Sequence, residues 1–126
     1  MSKGKWRTIV PRKIVPTKID IAWSAGFIEG DGHIGRNKTT SDIEVTQKNI
    51  CVLLKLQFLW GGSLGKIHKQ GFTRNRTYFK WRVSGPSARR MALSMRRYLS
   101  PVKQLQVDFC LGKVTRAKYL RKREKI

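Results

Sequence analysis

The sequence predicts an α+β fold: one four-stranded antiparallel sheet with helices on one face, in the order α-β-β-α-β-β-α-α. Three observations carry this. Segments near residues 42–46 and 78–83 alternate apolar with polar residues, the period of a half-buried strand. Apolar stripes at helical spacing precede, separate and follow them. The α-β-β unit also occurs twice, which sets two hairpins in one sheet and gathers the helices on its inner face. At 126 residues the chain is one domain's worth. It divides into a basic arm over 1–18, a single folded domain over 19–112 and a basic helical tail over 113–126.

The arm holds six basic residues, two prolines and no acid, so it is expected to be extended and ordered only against something anionic. The first helix runs from about Asp20, as N-cap, to Gly30, and Gly32 ends it. Two strands follow, the second carrying Ile43 and Val45 between polar neighbours. Asn49 caps a nearly all-apolar helix over roughly 50–60, which Trp60-Gly61-Gly62 stops. The next strand lies near 64–69, with Lys66 and His68 facing away from Ile67, and Gly71 to Asn75 turns the chain. In the return strand Phe79, Trp81 and Val83 alternate with Tyr78, Lys80 and Arg82. Pro86 opens a helix with a stripe of Ala88, Met91, Ala92, Met95, Tyr98 and Leu99. Ser100-Pro101 opens the last, with Val102, Leu105 and Phe109 on one face.

Twenty-eight basic against seven acidic residues give a net charge of +21, which calls for a polyanionic partner. Nucleic acid comes first and an anionic membrane surface a distant second. No apolar run reaches the ~18 residues of a bilayer span, and the N-terminus lacks a signal peptide's apolar core. The expected location is therefore intracellular, with nothing to separate organelle, prokaryotic or phage-host cytoplasm. Cys51 and Cys110 fall in helices and read as small core residues of a reducing compartment. Two histidines, His33 and His68, give no zinc-ligand spacing.

Two of the seven acids fall in one run, Ser24-Ala25-Gly26-Phe27-Ile28-Glu29-Gly30-Asp31-Gly32. Ala22, Gly26 and Gly30 recur every fourth residue and line one helix face. Glycine inside a helix costs ~0.5–1 kcal/mol relative to alanine, so two at this spacing suit close approach of another backbone. Glu29 and Asp31 would lie in the last turn, where the helix dipole disfavours negative charge. Carboxylates and unbonded carbonyls crowded there make a cation site. The letters Gly30-x-Gly32-x-x-Gly35 also match the dinucleotide fingerprint, but the order is helix then strand, the reverse of what that fingerprint needs.

The octapeptide Ala25 to Gly32 resembles the signature of the LAGLIDADG homing endonucleases. Val45-Thr46-Gln47-Lys48 is similar to the end of that family's second strand, and Lys103-Gln104-x-Gln106 to the start of its last long helix. The resemblance covers roughly residues 20–112. Ser24 stands where leucine is usual, and Cys51 where some members carry arginine, leaving one basic group fewer.

The resemblance implies a saddle-shaped sheet in the DNA major groove and a single-motif chain acting as a homodimer. Its centre would be the first helix, packed on its twin through Ala22, Gly26 and Gly30, with Glu29 securing helix ends there. Asp31 would ligate magnesium or another divalent metal such as manganese, assisted by the Gly30 carbonyl. Gln47 would position water, and Lys103 would offset charge at the phosphate. Without the resemblance, Gln47 reads as a polar strand end and Lys103 as a solvated lysine. The expected double-stranded DNA contacts are Glu44, Thr46, Lys48, Lys66, His68, Arg76, Lys80 and Arg82. Glu44 is either a base reader or a carboxylate neutralising Lys66 or Arg82. Two other functions remain open: an intron RNA maturase on the same scaffold, and a structural RNA-binding protein of ribosomal type.

Overall fold

The computed structural model describes residues 9–70 and 75–125. In chain order they form β1 (Ile9–Val10), α1 (Lys18–Asp31), β2 (Gly32–Asn37), β3 (Thr40–Gln47), α2 (Ile50–Trp60), β4 (Gly62–Gln70), β5 (Asn75–Ser84), α3 (Gly85–Met95), a 3-10 turn (Arg96–Tyr98), α4 (Pro101–Cys110) and α5 (Arg116–Glu124). The four long strands make the expected antiparallel sheet, ordered β4-β5-β3-β2. Its inner face meets α1 to α4 in one core around Ile28, Ile34, Ile43, Val45, Leu56, Trp81 and Met91. No helix among the described residues is long and apolar enough to cross a membrane.

The sheet gains a strand the sequence did not announce. Ile9 and Val10 pair with Ser63 and Gly62 at the edge of β4, and the Lys13 N–H donates to the Phe58 carbonyl at 2.9 Å. The described part of the arm therefore meets the chain's own sheet edge at Ile9 and Val10 and helix α2 at Lys13. Residues 1–8 and most of the turn assigned to Gly71–Asn75 lie outside the described residues.

Helix boundaries follow local chemistry. Asn49 caps α2 through the Cys51 N–H, as expected. Ser100 caps α4 with Pro101 in its first turn. The start of α1 differs from the expectation. Thr17 is its N-cap, and Asp20 stands three residues in, where its carboxylate accepts from the Thr17 N–H at 2.9 Å. The Thr17 hydroxyl in turn accepts from the Asp20 N–H, closing a capping box. Gly32 ends α1 in extended conformation, φ −95°, and not in the left-handed cap expected of a terminating glycine. Glycine is needed there for space: a Cβ would come within 2.9 Å of the Ile28 Cα.

Two further placements correct the sequence reading. Lys66 pairs with Phe79, next to the Leu64–Trp81 pair, so it lies on the inner face and not beside Lys80 and Arg82. Its outer-face neighbour is Ile67, paired with Tyr78. Cys51 is exposed in the first turn of α2, whereas Cys110 is buried, which pushes its thiol pKa up. The tail forms α5, which has no buried residue and meets α4 through a stack of Tyr119 on Phe109 at 4.7 Å.

Candidate active site at the end of the first helix

Three elements converge where α1 becomes β2. The end of α1 supplies Asp31, which is exposed. Pairing of Gly32 with Val45 lays the end of β3 alongside and carries Gln47 in. Its amide Nε2 donates to Asp31 Oδ2 at 2.9 Å. The start of α4 supplies Lys103, whose ammonium donates to the Gly32 carbonyl at 2.7 Å. Gln47 thus bonds Asp31 itself and Lys103 bonds the carbonyl of the next residue, though 16 and 72 positions separate Asp31 from the other two in sequence.

Glu29 ties this corner together. It accepts from the Ser100 N–H at 2.8 Å through Oε1 and from the Ser100 hydroxyl at 2.7 Å through Oε2. Ser100 is the N-cap of α4, so a carboxylate from the negative end of one helix meets the positive end of another. Expected to secure helix ends at an interface, Glu29 secures one inside its own chain. Lys103 is half-buried beside it. Burial pushes its pKa below the ordinary lysine range, and the Glu29 charge opposes that shift.

As a metal site, the corner of one chain offers few donors. The last intrahelical bond runs from the Gly32 N–H to the Ile28 carbonyl, leaving the Gly30 carbonyl without an intrahelical donor. Together with Asp31 it supplies hard oxygen ligands, the kind magnesium prefers. Among the described residues no three of His, Cys, Asp and Glu come together as a ligand cluster. The donors fit a divalent ion by type and fall short by number, unless a second carboxylate arrives from elsewhere.

The exposed face of α1 shows where it could come from. Ala22, Gly26 and Gly30 are all exposed, and a Cβ built on either glycine meets nothing within 4 Å. Ile19, on the same helical face, is 81% exposed. A bare strip of small and apolar residues thus leads straight to Asp31.

The outer sheet face is less basic than the sequence suggested. Glu44 pairs with Lys80 at 2.8 Å, not with Lys66 or Arg82. Arg82 instead meets Asp42 at 3.0 Å, an acid the sequence reading left off this face. Asp42 could have been found from its spacing, since it shares the parity of Glu44 along β3. Thr46 stands opposite Lys80, and the Lys48 ammonium lies 5.7 Å from the centre of the Tyr78 ring. His68 and Arg76 pair in register with Thr77 and Lys69, and their side chains lie outside the described residues. Further basic charge sits away from the sheet, on the exposed sides of α3 and α5.

Ser24 also gains an explanation. Its buried hydroxyl donates to the Asp20 carbonyl at 2.8 Å and accepts the Trp60 indole N–H at 2.8 Å. Leucine in its place would leave that indole unpaired. Comparisons with protein-family models and with curated proteins give no match for this chain.

Proposed function

We propose that two copies of this chain form a site-specific DNA endonuclease of the LAGLIDADG homing type, cutting both strands of a long pseudo-palindromic duplex with magnesium or manganese. One observation supports the reading: Gln47 bonds Asp31 and Lys103 bonds the adjoining Gly32 carbonyl at the end of a helix whose outward glycines face open space. Packing two strips together would bring two copies of Asp31 to one place and complete a ligand set that one chain leaves short.

A divalent metal would activate water and stabilise the leaving oxygen. Asp31 and the Gly30 carbonyl would hold it. The Gln47 amide fixes the Asp31 carboxylate through Oδ2, so that group need not reorganise on binding. Gln47 Oε1 is an acceptor that can orient a water. Lys103 places positive charge at the carbonyl end of α1, where a developing phosphate charge needs it. The net charge of +21 draws the duplex in.

The test is cleavage of a randomised duplex library with magnesium, for wild type and Asp31→Asn. Removing the ligand carboxylate is expected to cut the rate by ~100-fold or more, within the range that metal and charge stabilisation contribute. Gel-shift affinity for a selected target without metal should hold or rise, since an anion facing phosphate has gone. An Asp31→Asn protein that cuts like wild type overturns the site. Tight binding without cleavage in any divalent metal would favour the maturase reading instead. One observation speaks for that alternative: Asp42 and Glu44 engage Arg82 and Lys80 on the sheet face, while the basic residues of α3 and α5 are left for a structured RNA.

A further inference from the structure

A cleft of about 540 Å³ opens at the other end of the strands, between the segment after β1, the start of β4, the end of β5 and the first turn of α3. Asp42, paired with Ser84 at that end, is five residues from Gln47 along β3, a separation of ~16 Å at strand rise. Arg12, Arg82 and Arg90 line the cleft, together with Ser63, Ser84 and Ser87. No acidic residue lines it among the described residues. Asp42 reaches this set only by its bond to Arg82 Nη2 at 3.0 Å, which leaves a surplus of positive charge.

The donors here outnumber their acceptors. Arg82 Nε is buried without a hydrogen-bond partner, an arrangement that folding normally avoids. Ser84 stands at the N-cap of the eleven-residue α3 but makes no side-chain cap bond. The first-turn N–H groups of α3 therefore add to the positive potential of the cleft. Arg90 Nη2 reaches the Ser87 hydroxyl at 3.3 Å, which holds that guanidinium near the helix start. Guanidinium forks, hydroxyls and helix-end amides together select a phosphate group. The volume exceeds a bare phosphate and falls in the ~300–1,000 Å³ range of small-molecule sites. Val10 and Pro11 on the wall give an apolar surface for the remainder of such a ligand.

We propose that this cleft binds a nucleotide by its phosphate, held by Arg12, Arg82 and Arg90 at the start of α3. The nucleotide is either free or one unit of a nucleic-acid strand. The site is separate from the Asp31 corner and does not depend on the cleavage reading.

Calorimetric titration of the full chain tests this, with adenosine monophosphate, inorganic phosphate, adenosine and a short single-stranded oligonucleotide as probes. The expected result is one monophosphate bound per chain, displaced by inorganic phosphate, with adenosine binding at least ~10-fold more weakly, as charge-assisted recognition requires. Arg90→Ala should weaken it by a similar factor, while Arg97→Ala, an exposed arginine outside the cleft, should not. If only the oligonucleotide binds, and Arg90→Ala alone weakens it, the source is a nucleic-acid strand. Equal binding of adenosine and its monophosphate overturns the proposal, as does an equal loss in Arg97→Ala or no binding of any probe. Repeating the titration with Asp31→Asn separates the two sites: cleft binding should be unchanged whether or not that variant cuts DNA.

Discussion

The two faces of α1 are built on opposite terms. Its inner face is fastened at every turn: Asp20 in the capping box, Ser24 against Trp60, Ala25 and Ile28 in the core, Glu29 on Ser100. The outer face carries Ile19, Ala22, Gly26 and Gly30, and around both glycines there is open space. A helix needs only its inner face to belong to a fold. Gly26 and Gly30 cost helix propensity and, among the described residues, meet nothing in their own chain, which is what the proposed packing of a second helix would account for.

That contrast can be broken most sharply with Gly26→Leu. The side chain enters open space in a single chain, so the folded protomer should persist, while the close approach of two helices should fail. Sedimentation with and without target DNA is expected to show loss of the dimer, and cleavage of both strands should go with it. A Gly26→Leu chain that still dimerises through α1 would end the interface reading.

On the inner face, Ser24→Ala removes the acceptor of a buried indole N–H. Leaving such a donor unpaired costs ~1–3 kcal/mol, readable as a lower denaturation midpoint with the outer face of α1 unchanged. Smaller and opposite in sign is Gly26→Ala measured on the protomer under dissociating conditions. Nothing lies near the new methyl, and the helix should gain ~0.8–1 kcal/mol from propensity. Gly32→Ala, by contrast, should destabilise, because its methyl meets the Ile28 backbone.

The smallest effect concerns pH. The folded pKa of Lys103 is lowered, chiefly by burial, so the unfolded chain binds that proton more tightly. Unfolding free energy should therefore rise as pH climbs through the window from the lowered folded pKa up to the ordinary lysine value. Any cleavage that relies on the ammonium should fall as pH passes through the folded pKa. Comparing the pH dependence of denaturation for wild type and Lys103→Met checks this; parallel curves across that window would show that Lys103 is not the responsible group.

Much of the fold could be read from local chemistry. Asn49, Pro86 and Ser100 each act within a few residues, and the alternation of Phe79, Trp81 and Val83 is a direct imprint of a one-sided sheet. Failures arose where a position depends on distant partners. Lys66 went to the wrong face because strand parity depends on register across a hairpin, and Ile67 gave a misleading cue. Asp20 looks like a cap in sequence because it is one half of a capping box, whose other half, Thr17, lies three residues earlier in the basic arm. The Ser24–Trp60 and Glu29–Ser100 bonds span 36 and 71 positions and leave no local pattern. Asp31 and Glu29 stand out as acids at a glycine-rich helix end, whereas Gln47 and Lys103 are legible only through resemblance. Gln47 and Lys103 are ordinary residues in ordinary places until the fold sets them beside Asp31 and Gly32.

The two residues of β1 have a consequence for how the protein survives at high concentration. An outermost strand offers unpaired N–H and C=O groups to any neighbouring chain, a standing invitation to aggregate. Val10 and Ile9 cover the first stretch of β4, and Gly61, at φ +79°, makes room for them: a Cβ there would meet the Val10 carbonyl at 2.6 Å. Trimming the chain past Val10, as a tidy expression fragment beginning at the first helix would do, strips that cover. The resulting particle would keep its core and Asp31, but expose a raw sheet margin to every other copy in the tube.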